Sequence, residues 1–203
     1  MGCCYTCNLY NTECREQLAL YGNNPNWMEI YAKKLKDKKI INLIVPGTHD
    51  SGTYRVFNVI KDVAKCQNFS IKRQLELGIR YLDIRYSAKS KKKDGVWIYH
   101  GPSPSIKFEN GLLEVVYFLK SNPKEFIVIK LQQEWNKPSV EQKNYIISLF
   151  HKWFPGKIIN SDDTWFDLKT VTLGQIIDNN KNILICADKN LINKKSAELD
   201  DDH

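Results

Sequence analysis

The sequence predicts an α/β fold, either a parallel sheet or a TIM-barrel-like β/α domain that is incomplete, with about five strands present. Three observations predict it. Short apolar runs of strand length alternate with stretches of helical period, the pattern of β/α units on a parallel sheet. Several runs end in glycine, proline or titratable residues, so polar groups gather at strand C-terminal ends, where such barrels place their chemistry. The chain has 203 residues, whereas a complete eight-stranded barrel takes about 250.

Residues 1–38 read as an N-terminal arm with a candidate acylation site and a lead-in helix. Trp27, Ile30, Tyr31 and Leu35 at helical spacing predict that helix over 27–36. The β/α domain spans 39–190 and opens on INLIVP (41–46), a continuous apolar run of the buried parallel-strand type. Pro46 and Gly47 stop the run and deliver Thr48, His49, Asp50 and Ser51 to its mouth. Ser70 caps a helix over 71–77 that Gly78 ends.

IRYLDIRYS (79–87) alternates as a strand and VWIYHG (96–101) forms the next, joined by the basic AKSKKKDG (88–95). A helix over 108–121 stops before Asn122–Pro123, and EFIVIKLQQE (125–134) is the fourth strand. Ser139 with Gln142 makes a capping box for a helix over 139–153, and Thr172 with Gln175 makes another. NILICAD (182–188) is the fifth strand, and 191–203 is a polar acidic tail.

Composition narrows the partners. The net charge is +7, but lysine outnumbers arginine 25 to 5, with no cluster of arginine forks and aromatic platforms. No nucleic-acid partner is expected; a lysine-rich surface suits anionic membranes or phosphorylated ligands, or is simply solvated. No apolar run approaches the roughly 18 residues of a membrane span, and no basic-then-apolar leader begins the chain. A cytosolic protein with reduced cysteines is expected.

Four of the six cysteines fall within the first 14 residues. Cys4 and Cys7 make a C-x-x-C, but only Cys14 offers a further nearby ligand, so no metal is assigned. MGCCYT instead matches an acylation signal, with Gly2 as myristoyl acceptor and Cys3 and Cys4 as palmitoyl thiols. Two acyl chains hold a protein on a bilayer where one binds marginally, so a peripheral position on the cytosolic face of a membrane is expected. Trp97, Trp135, Trp153 and Trp165 are expected in packing roles. The loop lysines 91–93 are read as solvated, with an electrostatic grip on anionic lipid as the alternative.

The ends of the first four strands carry His49 and Asp50, Asp83 and Arg85, His100, then Gln132 and Glu134. Asp83 and Arg85 are two apart on one strand and share a face, either as a structural ion pair or as part of a site. Two histidines on different strands suit a base and an acid acting on opposite sides of a phosphodiester. A fixed arginine suits the charge that develops on its oxygens.

VPGTHDSGT, RYLDIR, YHGP and FLKSNPKEFIVIKLQQE, in this order, closely resemble the X region of phosphatidylinositol-specific phospholipases C of the bacterial, calcium-independent type. The resemblance runs from Leu43 to Glu134 and more weakly to Asp188. It implies a distorted β/α barrel that cleaves inositol phospholipid, or its glycosylated form, to diacylglycerol and inositol cyclic phosphate. His49 matches the general base, His100 the general acid, Asp50 the partner of that acid, Arg85 the phosphate-binding arginine and Asp83 its neighbour. Calcium-dependent relatives carry an acidic ligand at the position of Arg85, so no metal and no cofactor is implied.

Three departures accompany the resemblance. Gln132 stands where bacterial relatives carry an inositol-binding lysine, although Glu134 keeps its acidic position; both are assigned to substrate binding. Asp188 loosely replaces an arginine. The carboxylate that pairs with the base histidine belongs to the family's C-terminal half, which this chain lacks. A homodimer or companion chain completing the barrel is one expectation. The alternative is a catalytically weak or inactive, membrane-anchored relative that binds inositol phospholipid.

Overall fold

The structure is a computed structural model that describes residues 24–56, 64–188 and 191. Gly2, Cys3 and Cys4, and the tail beyond residue 191, lie outside the described residues. In chain order the elements are α1 (Trp27–Ile30), α2 (Ala32–Leu35), β1 (Gly47–Thr48), α3 (Ile71–Glu76), β2 (Tyr81–Ala88) and β3 (Val96–His100). They continue with β4 (Ser103–Lys107), α4 (Phe108–Ser121), β5 (Ile127–Gln133), α5 (Val140–Trp153), α6 (Leu173–Asp178) and β6 (Ile183–Ala187). The sheet runs β4-β3-β2-β5-β6, and β1 pairs with the start of β2.

Side-chain alternation on β2 divides the sheet into two faces. Leu82, Ile84 and Tyr86 are fully buried in a cluster with Leu112, Val115 and Phe118 of α4, Ile71 and Leu75 of α3, and Ile146 and Phe150 of α5. Asp83 and Arg85 point the other way, into what would be a barrel interior. Parallel pairing with β5 sets Asp83 opposite Lys130 and Arg85 opposite Gln132. Burying one face of the sheet under helices therefore leaves a polar strip on the other.

Both capping boxes form: Ser139 and Thr172 accept from the backbone of Gln142 and Gln175, whose side chains bond back. Three expectations are corrected. The run 41–46 is not a buried strand. It makes a short 3₁₀ turn at Ile40–Asn42 and an extended stretch, and Ile44 is 99% exposed. Only Gly47 and Thr48 enter the sheet, because their one ladder partner is the first two residues of β2 and nothing described pairs on their other side.

The lead-in helix breaks at Tyr31 into two single turns, and Met28 is the residue it buries while Ile30 and Tyr31 face solvent. The third correction is to strand direction. β3 runs antiparallel to β2, and Ser103–Lys107 forms an unexpected fourth strand that runs antiparallel to β3. The β2–β3 hairpin therefore turns at the C-terminal end of β2, which places the basic loop on the rim of the mouth.

A buried ion pair fixes the opposite end of the sheet. Arg80 and Glu125 are both fully buried, with Nε and Nη2 of Arg80 donating to Glu125 Oε2 at 2.8 and 2.6 Å. The remaining guanidinium hydrogens go to the carbonyls of Leu75, Ile79 and Pro25. Glu125 in turn accepts from the backbone of Met28 and Glu29, serving as the N-terminal cap of α1 in place of Asn26. Glu125→Gln leaves a buried guanidinium without its counter-charge. It is expected to cost about 3–5 kcal/mol in urea unfolding, and the double change Arg80→Met, Glu125→Leu to recover most of that loss. An unaltered unfolding midpoint in the single variant would contradict this role.

Candidate active site

The turn after β1 is held by its own polar side chains. Thr48 Oγ1 donates to Gln74 Oε1 at 2.6 Å, Ser51 Oγ donates to the Thr48 carbonyl, and Gln74 donates to the carbonyl of Ser51. The Ser51 amide joins the turn to β2 through the Asp83 carbonyl. Asp50 adopts φ +48°, a left-handed conformation that aspartate tolerates. Gly52 packs on β3 so closely that a Cβ would lie 2.6 Å from Ile98 Cδ1. This turn carries Asp50 into a fully buried position at the mouth of the sheet.

Around Asp50 the structure joins residues from four strand ends. His49 Nδ1 lies 2.9 Å from Asp83 Oδ2, and His49 Nε2 lies 3.0 Å from Asp50 Oδ2. His100 Nε2 is 3.6 Å from the same Asp50 oxygen, and the two imidazole centroids are 6.5 Å apart. Arg85 Nε sits 2.9 Å from Asp50 Oδ1, an ion pair rather than an aligned hydrogen bond. Its Nη1 donates to both oxygens of Glu134 at 3.2 and 3.3 Å, and Glu134 also accepts from the Gly101 amide.

The electrostatics follow from that packing. Burial pushes the Asp50 carboxyl up from its ordinary value, against the pull of Arg85, His49 and His100 and with help from Asp83. Burial also works to lower Arg85, but Asp50, Glu134 and Asp83 together outweigh it and hold the guanidinium above its usual range. Each nitrogen of His49 faces a carboxylate oxygen. The ring is thereby held between the carboxyl groups of Asp83 and Asp50.

His49, Asp50, Asp83, Arg85, His100 and Glu134 thus form one network. Gln132 is half-buried and opposite Arg85 in register. The carboxylate on His49, assigned from the resemblance to an absent half, is supplied here by Asp83. Asp188 stands apart from the histidines: it accepts from the Gln133 amide and closes the end of β6 onto β5. Trp135 is 60% exposed, contrary to the packing role expected for it.

Two site residues escaped the sequence reading. Lys130 Nζ lies 3.5 Å from Asp83 Oδ1; its signal was its place two residues before Gln132, on the same strand face. Cys66 lies against both Asp50 and His100, and nothing in the spacing of an isolated cysteine marks such a contact.

The family model for the phosphatidylinositol-specific phospholipase C X domain matches residues 46–189. The chain belongs to this family. A 1-phosphatidylinositol phosphodiesterase of Listeria monocytogenes is 43% identical over 98 residues, which cover 46% of this chain and 29% of that protein. Human PI-PLC X domain-containing protein 2 is 28% identical over 150 residues, covering 62% and 49%.

Among solved structures, the phosphatidylinositol-specific phospholipase C of Listeria monocytogenes superposes with a TM-score of 0.63 at 28% identity, covering 83% of this chain and 58% of that one. A Staphylococcus aureus phosphatidylinositol-specific phospholipase C variant gives 0.63 at 22% identity, covering 83% and 54%, a likeness of fold. The chain spans half or less of the two curated relatives, and the mixed α/β fold corresponds to an incomplete barrel.

A carboxyl held above its ordinary range binds its proton more tightly folded than unfolded, so its ionisation costs stability as pH climbs from about 4. Asp50→Asn keeps the size and tolerates the left-handed backbone. It is expected to unfold a few degrees above wild type near pH 7.5, with the gap shrinking toward about pH 4. Thermal melts at the two pH values check this. A less stable variant at the higher pH would mean that attraction to Arg85 and His49 outweighs burial.

Proposed function

We propose that the chain is a phospholipase C-type phosphodiesterase that cleaves an inositol phospholipid, phosphatidylinositol or its glycosylated form, without a metal. The observation that carries the reading is the pair of imidazoles 6.5 Å apart, joined through Asp50 and flanked by Arg85. His49, oriented by Asp83, takes the proton of the inositol 2-hydroxyl. The oxygen attacks phosphorus, a new P–O bond closes the cyclic phosphate, and the P–O bond to diacylglycerol breaks. His100 gives its proton to the departing diacylglycerol oxygen. Arg85 supplies fixed positive charge to the phosphoryl oxygens. Lys130, Gln132 and Glu134 line the same strip and are assigned to the inositol ring; Lys130 offers a cation one strand step from the position where Gln132 lacks it.

The rim supports a membrane substrate. Lys89, Lys91, Lys92, Lys93 and Lys137 are exposed beyond the C-terminal ends of β2 and β5, beside the exposed Trp135. Among the described residues no helix is long and apolar enough to cross a bilayer. In this reading the rim and acyl chains on Gly2, Cys3 and Cys4 hold the chain on the cytosolic face of a membrane. Changing Lys91, Lys92 and Lys93 to Gln is expected to weaken binding of unacylated protein to acidic vesicles several-fold and to leave neutral vesicles unaffected. Unchanged sedimentation with acidic vesicles would remove the loop from the membrane surface.

The decisive assay is release of cyclic inositol phosphate from phosphatidylinositol vesicles in EDTA. His49→Ala and His100→Ala are each expected to lose about 10²–10⁴-fold. One observation favours a second reading: Arg85 is already engaged by Asp50 and Glu134, so a phosphate must displace a carboxylate from it. Wild type that binds vesicles but releases no product would select the inactive, lipid-binding relative.

A further inference from the structure

The mechanism leaves Cys66 unused, yet this thiol sits inside the catalytic network. Its sulfur is 3.5 Å from His100 Nδ1 and 3.7 Å from Asp50 Oδ2, and His100 Nε2 is 3.6 Å from that same oxygen. One ligand atom from each of the three residues lies within 4.8 Å of the others. Zinc–ligand bonds of about 2.0–2.3 Å in tetrahedral geometry separate neighbouring ligand atoms by roughly 3.3–3.6 Å. The sulfur faces Nδ1 of His100, which also lies 3.2 Å from the Ala64 carbonyl, whereas the Asp50 carboxylate faces Nε2, so a turn of the imidazole that brings one nitrogen to both would complete three corners of a zinc tetrahedron. The donor set of thiolate, imidazole and carboxylate suits zinc and is too soft for calcium or magnesium.

Charge points the same way. Arg85 engages Oδ1 of Asp50, while Oδ2 faces the sulfur and His100 and also lies 3.0 Å from His49 Nε2, a contact that a bound ion would displace. Three carboxyl groups, on Asp50, Asp83 and Glu134, face the side chains of Arg85 and Lys130, so a Cys66 thiolate would add an anion that a bound divalent ion balances. Placement is also favourable: the fully buried Asp50 forms the floor, Cys66 is half-buried above it, and Gln67, next in the chain, donates to the His49 carbonyl and pins the segment over the mouth.

We infer that Asp50, Cys66 and His100 form a zinc site in which the ion silences the catalytic centre by taking His100 as a ligand. Binding releases the thiol proton, so affinity rises with pH. An imidazole whose lone pair is on zinc no longer passes a proton to the leaving oxygen. The fourth corner is left to water, and chelation restores the histidine. Silencing rests on the phospholipase reading; metal binding does not.

The test uses metal-free full-length protein in which Cys3, Cys4, Cys7 and Cys14 are serine, so that only Cys66 and Cys186 carry thiols. One equivalent of Co²⁺ is expected to give a sulfur-to-cobalt charge-transfer band that stoichiometric Zn²⁺ displaces. Cys66→Ser and Cys66→Ala are both expected to lose the band and at least about tenfold in zinc affinity. In the release assay, one equivalent of Zn²⁺ is expected to stop turnover until EDTA is added, and to leave the Cys66 variants at their own zinc-free rates. A band that survives in both variants, or no band in the parent, overturns the site. A cysteine-dependent band in a protein without lipase activity upholds the site and sinks the phospholipase reading.

Discussion

The Arg80–Glu125 pair is the constraint on which the rest of the molecule hangs. Each charge is fully buried and bonded several times over, and together they tie the first helical turn, the end of α3 and the starts of β2 and β5 at one point. The Arg80 carbonyl also accepts from the Val128 amide, so the pair and the β2–β5 register are locked jointly. A slip of one residue would turn Asp83 and Arg85 into the apolar cluster and Leu82 and Ile84 out of it. The cost of desolvating this pair is thus spent at the end of the sheet away from the chemistry, and the register it secures sets Arg85 beside Gln132 and within reach of Glu134.

At the other end the same physics is left unbalanced. Asp50 is as buried as Glu125, but its carboxyl is pushed upward while it serves several partners at once: Arg85, His49, His100 and Cys66. Where Glu125 is satisfied by one guanidinium and two amides, Asp50 is shared among groups that can gain or lose protons. Such a centre is poor at holding a fold together and well suited to moving a proton between two imidazoles. Its strained turn is affordable because threonine, serine and glutamine side chains fix it before the carboxylate is counted.

What the sequence made legible was what is encoded locally. The two capping boxes, the helix Phe108–Ser121 and the alternation of Leu82, Asp83, Ile84 and Arg85 each depend on neighbours a few residues apart, and each forms. INLIVP failed because apolar content predicts burial, whereas a strand also needs a partner along its length; Ile44 has neither. Ser103–Lys107 carries Pro104, which argues against a strand, yet as an edge strand it tolerates the missing amide. Lys130, Cys66 and the Asp83–His49 contact were hidden for a different reason. They are decided by separations of 16 residues or more, where only the fold says which side chains meet.

The longer relatives raise the question of whether this portion of a barrel has what the chemistry requires. Loss of a carboxylate behind a base histidine leaves the imidazole free to rotate and to choose the wrong tautomer, a defect that distant binding energy does not repair. Here that position is filled from β2 itself, since Asp83 holds His49 Nδ1 at 2.9 Å. Asp83 is in turn steadied by Lys130 at 3.5 Å and lies 3.9 Å from Arg85. Among the described residues, the groups in contact with the two histidines come from residues 49–134. The open side of the sheet lacks a wall. Under the phospholipase reading proposed above, such a wall would exclude water and grip the inositol ring, and a bilayer against the lysine-rich rim would contribute the first of these.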